Sequence, residues 1–241
     1  MIFAESLINF FKKKKINFYV GVPDSVLKNF IKKLDMQKNI THLTAANEGT
    51  AVSAAIGYHL STGKLPCVYM QNSGLGNAIN PLISIAHKKV YSIPMILVIG
   101  WRGAPNQQDE PQHEAKGEIT PKLLKLLDIE YLLIDHERDL KKVDTKIYNL
   151  KKKNKILALL IKNKTLIIKN KQKPKTKIKN KLLARSVFIE NLLKNVNKNT
   201  KIISTTGYTS RELMQIRKQS NCKNGKDFYM VGGMGHASSV A

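Results

Sequence analysis

The order of apolar and amphipathic segments along the first 165 residues predicts a largely parallel sheet. Short apolar runs rich in Ile, Val and Leu alternate with stretches in which apolar residues recur at helical spacing. The predicted strands are residues 17–20, 40–43, 66–70, 93–99, 131–134 and 156–161. The predicted helices are residues 25–34, 48–61, 75–87, 121–127 and 137–151. Strands that alternate with helices in this way indicate βαβ units, so we predict an α/β fold with a parallel sheet flanked by helices.

Two domains joined by a lysine-rich linker are predicted. Residues 166–181 alternate Lys with Asn, Thr and a Pro and hold too few apolar residues to join a core, which indicates a linker. The next segment has a helix near 182–193, a strand at 201–204, a helix from Thr209 and a strand at 228–231. One βαβ unit of about 60 residues cannot bury both faces of a sheet. We therefore expect a complete domain at 1–165 and the truncated start of a second α/β domain at 182–241.

The composition is strongly basic, which first raises nucleic acid or an anionic membrane as a partner. The 241 residues include 41 Lys and Arg against 17 Asp and Glu, a formal net charge of +24. Much of the excess is local, because residues 141–181 contain 16 Lys, no Arg and one acid. The Arg forks and aromatic side chains that usually bind nucleic acid do not accompany these lysines. We therefore expect a solvated basic surface, with neither a nucleic acid nor a membrane as partner.

The N-terminal segment bears on the cellular compartment, and the two cysteines bear on disulfide and metal sites. No apolar stretch approaches the roughly 20 residues of a membrane span, and the N-terminal lysines follow the first apolar residues, unlike the charges of a secretory signal. We expect a cytoplasmic protein. Cys67 and Cys222 lie far apart without CxxC or Cys/His spacing, so the sequence indicates neither a disulfide framework nor a zinc site.

The loops after the strands carry the candidate chemistry, because ligands of open α/β sheets bind beyond the carboxyl ends of the strands. Asp24 follows the first strand, where it could either cap the next helix or take part in a site. Glu48 follows the second strand at the start of an Ala- and Gly-rich helix. It could complement the helix dipole, or it could lie in a closely packed site where a carboxylate needs a polar partner.

The third and fourth strands are followed by further polar segments. Residues 71–77 read QNSGLGN, and their glycines would let the backbone approach a ligand at a helix N-terminus. This segment is neither a Walker A loop nor a GxGxxG motif. Residues 101–117 form a predicted loop with Arg102, His113 and Lys116, which offer cationic donors for a small anionic substrate. The alternative for this loop is a solvated surface segment.

Six segments together resemble the phosphonopyruvate decarboxylase family of thiamine diphosphate enzymes, in order and over nearly the whole chain. They are GVPDS (21–25), AANEGTAVSAAIGYHLSTGK (45–64), QNSGLGN (71–77), WRGAPNQQDEPQH (101–113), TTGYTSREL (205–213) and VGGMGHASS (231–239). Sulfopyruvate decarboxylase shares much of this pattern. The resemblance implies a pyrimidine-binding domain, a diphosphate-binding domain, and active sites formed between protomers of a homo-oligomer.

The reaction implied by the resemblance is decarboxylation of 3-phosphonopyruvate, a small anionic 2-oxoacid, to phosphonoacetaldehyde and CO2 in phosphonate biosynthesis. The thiamine diphosphate and its Mg2+ would be the cofactors. Two alternatives stay open at this point. One is a sulfopyruvate decarboxylase or another 2-oxoacid decarboxylase of the same mechanism, and the other is a non-catalytic basic binding module on an α/β scaffold.

Residue roles follow from matching positions. The resemblance places Glu48 at the cofactor-activating glutamate, which hydrogen-bonds the N1′ atom of the aminopyrimidine ring. The other implied cofactor-binding residues are Gly74, Thr206, Gly207, Gly232 and Met234, with Thr206 and Gly207 nearest the diphosphate and Met234 between the two rings. Candidates for proton transfer and substrate contact are Asp24, Gln112 and His113. Candidates for binding the phosphonate are Arg102 and Asn77.

The family's magnesium ligands form a Gly-Asp-Gly motif and a later Asn, both beyond the Gly-Met-Gly segment. We expect these ligands downstream of Ala241, which would make this chain either a fragment of a longer protein or a truncated product. In either case we expect it neither to bind the cofactor nor to turn over by itself.

Overall fold

The computed structural model describes residues 1–168, 183–197, 199–219, 227–231 and 237–241, without the side chains of 151, 152, 238 and 239. The chain forms two compact units, Met1–Lys171 and Gln172–Ala241. Each unit is built from parallel strands and helices, which confirms the predicted α/β class. Within the described residues, no helix has the length and apolar content needed to cross a bilayer.

A six-stranded parallel sheet forms the centre of the first unit. Its strands are β2 (Phe18–Gly21), β3 (Thr41–Thr44), β4 (Cys67–Gln71), β5 (Met95–Trp101), β6 (Glu130–Leu133) and β7 (Ile156–Lys162). Their order across the sheet is β3-β2-β4-β5-β7-β6, and every neighbouring pair is parallel. A separate parallel pair joins β1 (Ile2–Phe3) to β8 (Leu166–Ile167). All six strands of the large sheet were predicted from the sequence.

Helices cover both faces of this sheet. They are α1 (Ala4–Lys13), α2 (Lys28–Leu34), α3 (Glu48–Thr62), α4 (Leu75–Pro81, continued by a π-turn at Leu82–Ala86), α5 (Pro111–Leu126) and α6 (Leu140–Lys153). Apolar residues of α3, α4 and α5 share one core cluster, and those of α1, α2 and α6 share the other. Strand β5 contributes to both, since Leu97 faces the first cluster and Ile96 and Val98 face the second. Burial on both faces explains why the central strands are continuously apolar in sequence.

The sequence analysis missed one helix and misplaced the start of another. Residues 4–13 form α1, which the sequence analysis did not identify, although Ala4, Leu7, Ile8 and Phe11 are buried at helical spacing. Helix α5 begins at Pro111 rather than at 121, so the second half of the predicted long loop is helical. Proline favours the first position of a helix, where its missing N–H has no intrahelical partner. The first unit also includes Leu166–Ile167, which had been placed in the linker.

The second unit is smaller in its described part. It contains α7 (Arg185–Asn195), β9 (Ile203–Ser204), α8 (Tyr208–Gln219), β10 (Phe228–Tyr229) and α9 (Ala237–Val240), with β9 and β10 parallel. Three of its buried apolar residues, Ile189, Leu213 and Ile216, form one core cluster. Arg217 and Asp227 form a buried ion pair, with 2.9 Å between Arg217 Nε and Asp227 Oδ2. The predicted linker from residue 169 onward lies outside the described residues, so the domain boundaries stay a prediction.

Candidate active site

The carboxyl ends of four parallel strands bring the candidate residues to one edge of the sheet. In the register of the sheet, Gly21 at the end of β2 pairs with Thr44 of β3 and with Tyr69 of β4. Gln71, at the end of β4, pairs with Gly100 near the end of β5. The segments that follow these strands contain Asp24, Glu48, the 71–77 turn and Arg102, so they begin at the same edge.

Glu48 is the first residue of α3 and is only 5% exposed. The preceding Asn47 caps this helix, because its Oδ1 accepts a hydrogen bond from the Thr50 N–H at 2.9 Å. Glu48 Oε2 accepts a hydrogen bond from Asn77 Nδ2 at 2.8 Å. Oε1 lies against the backbone of Gly74, where a Cβ atom would come within 2.0 Å of it. A glycine at 74 is therefore required for the carboxylate to occupy this position.

The second carboxylate oxygen of Glu48 has no protein partner in the described part of the chain. This oxygen, Oε1, is not fully enclosed by the protein. One oxygen of a buried carboxylate is thus held by an amide, and the other remains free to accept a hydrogen bond from a ligand.

Asp24 is 7% exposed and joins three elements at the strand ends. Its Oδ2 accepts from the backbone N–H of Leu27 at 3.0 Å, at the start of α2, and its Oδ1 accepts from Gln71 Nε2 at 2.6 Å. Gln71 in turn accepts from the Ser73 hydroxyl at 2.6 Å. Asp24 also packs on Gly100, whose Cβ would lie 2.1 Å from Oδ2. Asp24 thus accepts the N–H of Leu27, the residue immediately before α2, and its role in a site stays a prediction.

Arg102 is held by an internal ion pair with Asp109, and the distance from Arg102 Nε to Asp109 Oδ2 is 2.7 Å. The same carboxylate accepts hydrogen bonds from the backbone N–H groups of Gly103 and Glu110, each at 2.9 Å. The Arg102 guanidinium and these backbone donors hold the pKa of Asp109 well below its usual range. Asp109 therefore closes the loop between β5 and α5.

Asn72 fastens the same loop to α5. Its amide donates to the carbonyl of Arg102 at 2.9 Å and to Thr120 Oγ1 at 3.0 Å, and its Oδ1 accepts from the Arg102 N–H at 3.1 Å. Gly103 has φ +66° and packs so closely on the carbonyl of His113 that a Cβ would lie 1.8 Å from it. The loop and the first turns of α5 are thereby fixed to each other.

Gln112 and His113 lie in the first turn of α5. The Gln112 amide donates to the Glu110 carboxylate. His113 Nδ1 is enclosed and has no hydrogen-bond partner among the described residues. Burial, together with the nearby charge of Arg102, lowers the pKa of His113. Burial therefore favours the neutral form of the imidazole.

Comparison with known proteins identifies the first unit. The family model of the thiamine pyrophosphate enzyme N-terminal TPP binding domain matches residues 1–124, which is more than half of the chain. The chain belongs to this family. Glu48, the 71–77 turn and the loop after β5 all lie within the matched thiamine pyrophosphate enzyme domain.

Two curated relatives are similar to the chain beyond or within this domain. Phosphonopyruvate decarboxylase of Streptomyces viridochromogenes is 31% identical over 100% of this chain and 62% of its own length. The chain thus spans less than two thirds of this relative. Sulfopyruvate decarboxylase subunit alpha of Methanocaldococcus jannaschii is 36% identical over 52% of this chain and 71% of its own length.

A solved structure supports the thiamine pyrophosphate enzyme fold. Benzoylformate decarboxylase of Polynucleobacter necessarius matches with a TM-score of 0.50 at 16% identity, over 83% of this chain and 37% of that chain. At this identity the likeness concerns the fold.

Two of the predicted cofactor-binding residues fall in the described part of the second unit, and two lie outside the described residues. Thr206 Oγ1 donates to the carbonyl of Val231 at 3.0 Å, and Gly207 adopts φ +89° immediately before α8. Gly232 and Met234 lie outside the described residues.

Three residues of the site were not assigned a role from the sequence. Gln71, Asn72 and Asp109 all lie inside segments that were recognised as polar, but their roles depend on partners between 7 and 48 residues away. No short spacing pattern reveals such a partner, because strand order decides which loops become neighbours.

Proposed function

We propose that this chain belongs to a thiamine diphosphate-dependent decarboxylase that converts 3-phosphonopyruvate to phosphonoacetaldehyde and CO2, as part of phosphonate biosynthesis. The observation that carries the proposal is the buried carboxylate of Glu48, with Oε2 held by Asn77 and Oε1 without a donor among the described residues. The similarity over the full chain to a phosphonopyruvate decarboxylase supports the choice of substrate.

The residues of the first unit fit the pyrimidine half of the cofactor. A carboxylate with one free oxygen can accept a hydrogen bond from a ring nitrogen, and Gly74 leaves the space that a larger residue would fill. Thiamine diphosphate, when bound, supplies an electron sink for the carbon–carbon bond that decarboxylation breaks. Glu48 would hold the ring by its N1′ atom. Thr206, Gly207, Gly232 and Met234 remain the candidates for the rest of the cofactor, with Mg2+ as its counterion.

Proton transfer is assigned to the groups at the strand ends. Burial lowers the pKa of His113 and so favours its neutral form, and a neutral imidazole can accept and return a proton near the substrate. Asp24 and Gln112 are proposed to contact the substrate. Both already make internal hydrogen bonds, from Gln71 to Asp24 and from Gln112 to Glu110. These bonds would orient them before the substrate arrives.

Both sequence-based candidates for binding the phosphonate already have partners in the structure. Arg102 and Asn77 were the sequence-based candidates, but Arg102 is paired with Asp109 and Asn77 with Glu48. Either residue would have to leave its partner to bind a substrate anion. The positive net charge of the chain would raise the local concentration of the anionic substrate.

A homo-oligomer with active sites between protomers, located in the cytoplasm, completes the proposal. The relative from M. jannaschii is named as a subunit, which supports an assembly of more than one chain.

The test is a substrate competition on the purified full-length protein with thiamine diphosphate and Mg2+. We expect 3-phosphonopyruvate to be decarboxylated with a higher kcat/KM than sulfopyruvate. The opposite ratio would favour a sulfopyruvate decarboxylase, the alternative that the 36% identity to the M. jannaschii subunit supports. Glu48→Gln should abolish turnover of both substrates, and Glu118→Gln, at an exposed position on α5, should leave it unchanged. Full activity of Glu48→Gln would contradict the proposal.

A further inference from the structure

We propose that Asn77 is a positioning residue for Glu48. Its Nδ2 group holds Oε2 and thereby leaves Oε1 as the oxygen that accepts a hydrogen bond from the cofactor. This inference rests on the proposed function and replaces the substrate-binding role first predicted for Asn77. The side chain of Asn77 is exposed, whereas the carboxylate that it binds is buried, so the amide covers the carboxylate from the solvent side.

A single fixed orientation of the carboxylate needs this contact. The terminal torsion of a Glu side chain is broad and nearly two-fold, so its two oxygens exchange readily when nothing distinguishes them. The N–H of Asn77 distinguishes them at 2.8 Å, while the backbone of Gly74 limits the space on the Oε1 side. Holding a catalytic group in place before the ligand binds reduces the reorganisation that the reaction requires.

The position of Asn77 is set by a close approach of α3 and α4. A Cβ atom on Gly49 would lie 2.8 Å from the carbonyl oxygen of Asn77, which is closer than real Cβ contacts allow. The absence of a side chain at Gly49 therefore lets α4 come close enough for Asn77 to reach Glu48. Gly57 on α3 and Gly76 on α4 have no such neighbour, since a Cβ on either would meet nothing within 4 Å.

The experiment compares Asn77→Asp with Asn80→Asp in the full-length protein. Asn80 lies on the same helix and is exposed, and its Oδ1 accepts a hydrogen bond from Ser84, which an aspartate can still accept. Two rates are measured: kcat for 3-phosphonopyruvate, and the exchange of the C2 hydrogen of bound thiamine diphosphate in deuterated buffer. We expect Asn77→Asp and Asn77→Ala to lower both rates by about 10- to 100-fold, with little change in KM. Asn80→Asp should change neither.

A second readout needs no cofactor. The pair Glu48→Gln with Asn77→Asp exchanges donor and acceptor across the same contact. In the ligand-free protein, we expect the double variant to restore the urea midpoint that Asn77→Asp alone lowers. The C2 exchange of bound thiamine diphosphate should stay slow, because residue 48 is no longer a carboxylate. Gly49→Ala should also slow C2 exchange, and Gly57→Ala should not. The two glycine substitutions test the inference without changing Glu48 or Asn77.

Each outcome has a separate meaning. Wild-type exchange in Glu48→Gln would overturn the proposed function itself. Loss of exchange in Glu48→Gln but wild-type exchange in both Asn77 variants would overturn only the positioning role. A raised KM with unchanged kcat in the Asn77 variants would return Asn77 to substrate binding and would equally overturn the inference. Failure of the donor–acceptor exchange to recover the urea midpoint would contradict the hydrogen bond.

Discussion

Arg102 Nε lies 2.7 Å from Asp109 Oδ2, so the guanidinium predicted to bind the substrate is held by a carboxylate seven residues further along the same loop. Both side chains are largely buried, and the carboxylate also accepts two backbone hydrogen bonds. This pair organises the segment between β5 and α5, which leads directly to Gln112 and His113 in the first turn of α5.

Asp109→Asn should lower the free energy of unfolding at pH 7 by about 1–3 kcal/mol, because it leaves a partly buried guanidinium without its charge partner. The pKa of Asp109 is depressed in the folded protein, so its contribution is present above its usual pKa and is lost as the pH falls below about 4. The variant should therefore lose less stability than the wild type between pH 5 and pH 2. Urea unfolding across this range measures both effects.

Asp128→Asn is the control for this prediction. Asp128 pairs with Lys88 at a site where both side chains are about half exposed, and its positive φ suits Asn as well as Asp. We expect a change within about 0.5 kcal/mol. An equal loss in both variants would show that the loop around Asp109 contributes no special stability.

Asp24 variants separate capping from a role in the site. Asp24→Ala removes the acceptor for the Leu27 N–H and leaves the buried Gln71 amide without its partner, so we expect a loss of about 1–3 kcal/mol. Asp24→Asn keeps an oxygen for Leu27 and should lose less stability. If Asp24 takes part in proton transfer, Asp24→Asn should nevertheless lose most of kcat. A fully active Asp24→Asn would leave capping as its only role.

Gly21→Ala should destabilise the sheet by about 1–3 kcal/mol or more, because a Cβ there would lie 2.0 Å from the carbonyl oxygen of Tyr69 and 2.6 Å from its ring. The buried ring of Tyr69 lies against Gly21, and its hydroxyl is hydrogen-bonded to His42 at 2.8 Å. Thermal unfolding monitored by circular dichroism measures the loss. The matched substitution Gly57→Ala, in open space on α3, should be neutral or stabilising. Equal melting temperatures for the two variants would contradict the close contact.

Cys67 should react with thiol reagents only when the protein unfolds. It is fully buried in β4, and burial raises the pKa of its thiol, so little reactive thiolate forms in the folded state. In a Cys222→Ser variant, the labelling rate of Cys67 should rise with urea in parallel with the unfolded fraction. Rapid labelling in native buffer would show that β4 opens locally.

Much of the fold and part of the candidate site could be predicted from the sequence. Mainly apolar runs predicted the central strands β2, β4, β5 and β7, because strands buried on both faces are largely apolar. The edge strands β3 and β6 are mostly exposed, and they were predicted from shorter β-prone runs between helical segments. The position of Glu48 after the second strand followed from the same pattern, since its helix begins with a strong cap and small residues. The start of α5 was missed because the residues around it are mostly polar, and only the contacts of Gly103, Asn72 and Trp101 show how this helix is held.

The sequence by itself determined the α/β class, the edge of the sheet at which polar residues collect, and the family resemblance. Only the tertiary structure decided which of those residues are already engaged: Asn77 with Glu48, Gln71 with Asp24, and Asp109 with Arg102. The reason is physical. Periodicity records the burial of each position, whereas a hydrogen bond depends on the distance between two atoms, and that distance is set by the strand order and the close approach of the helices.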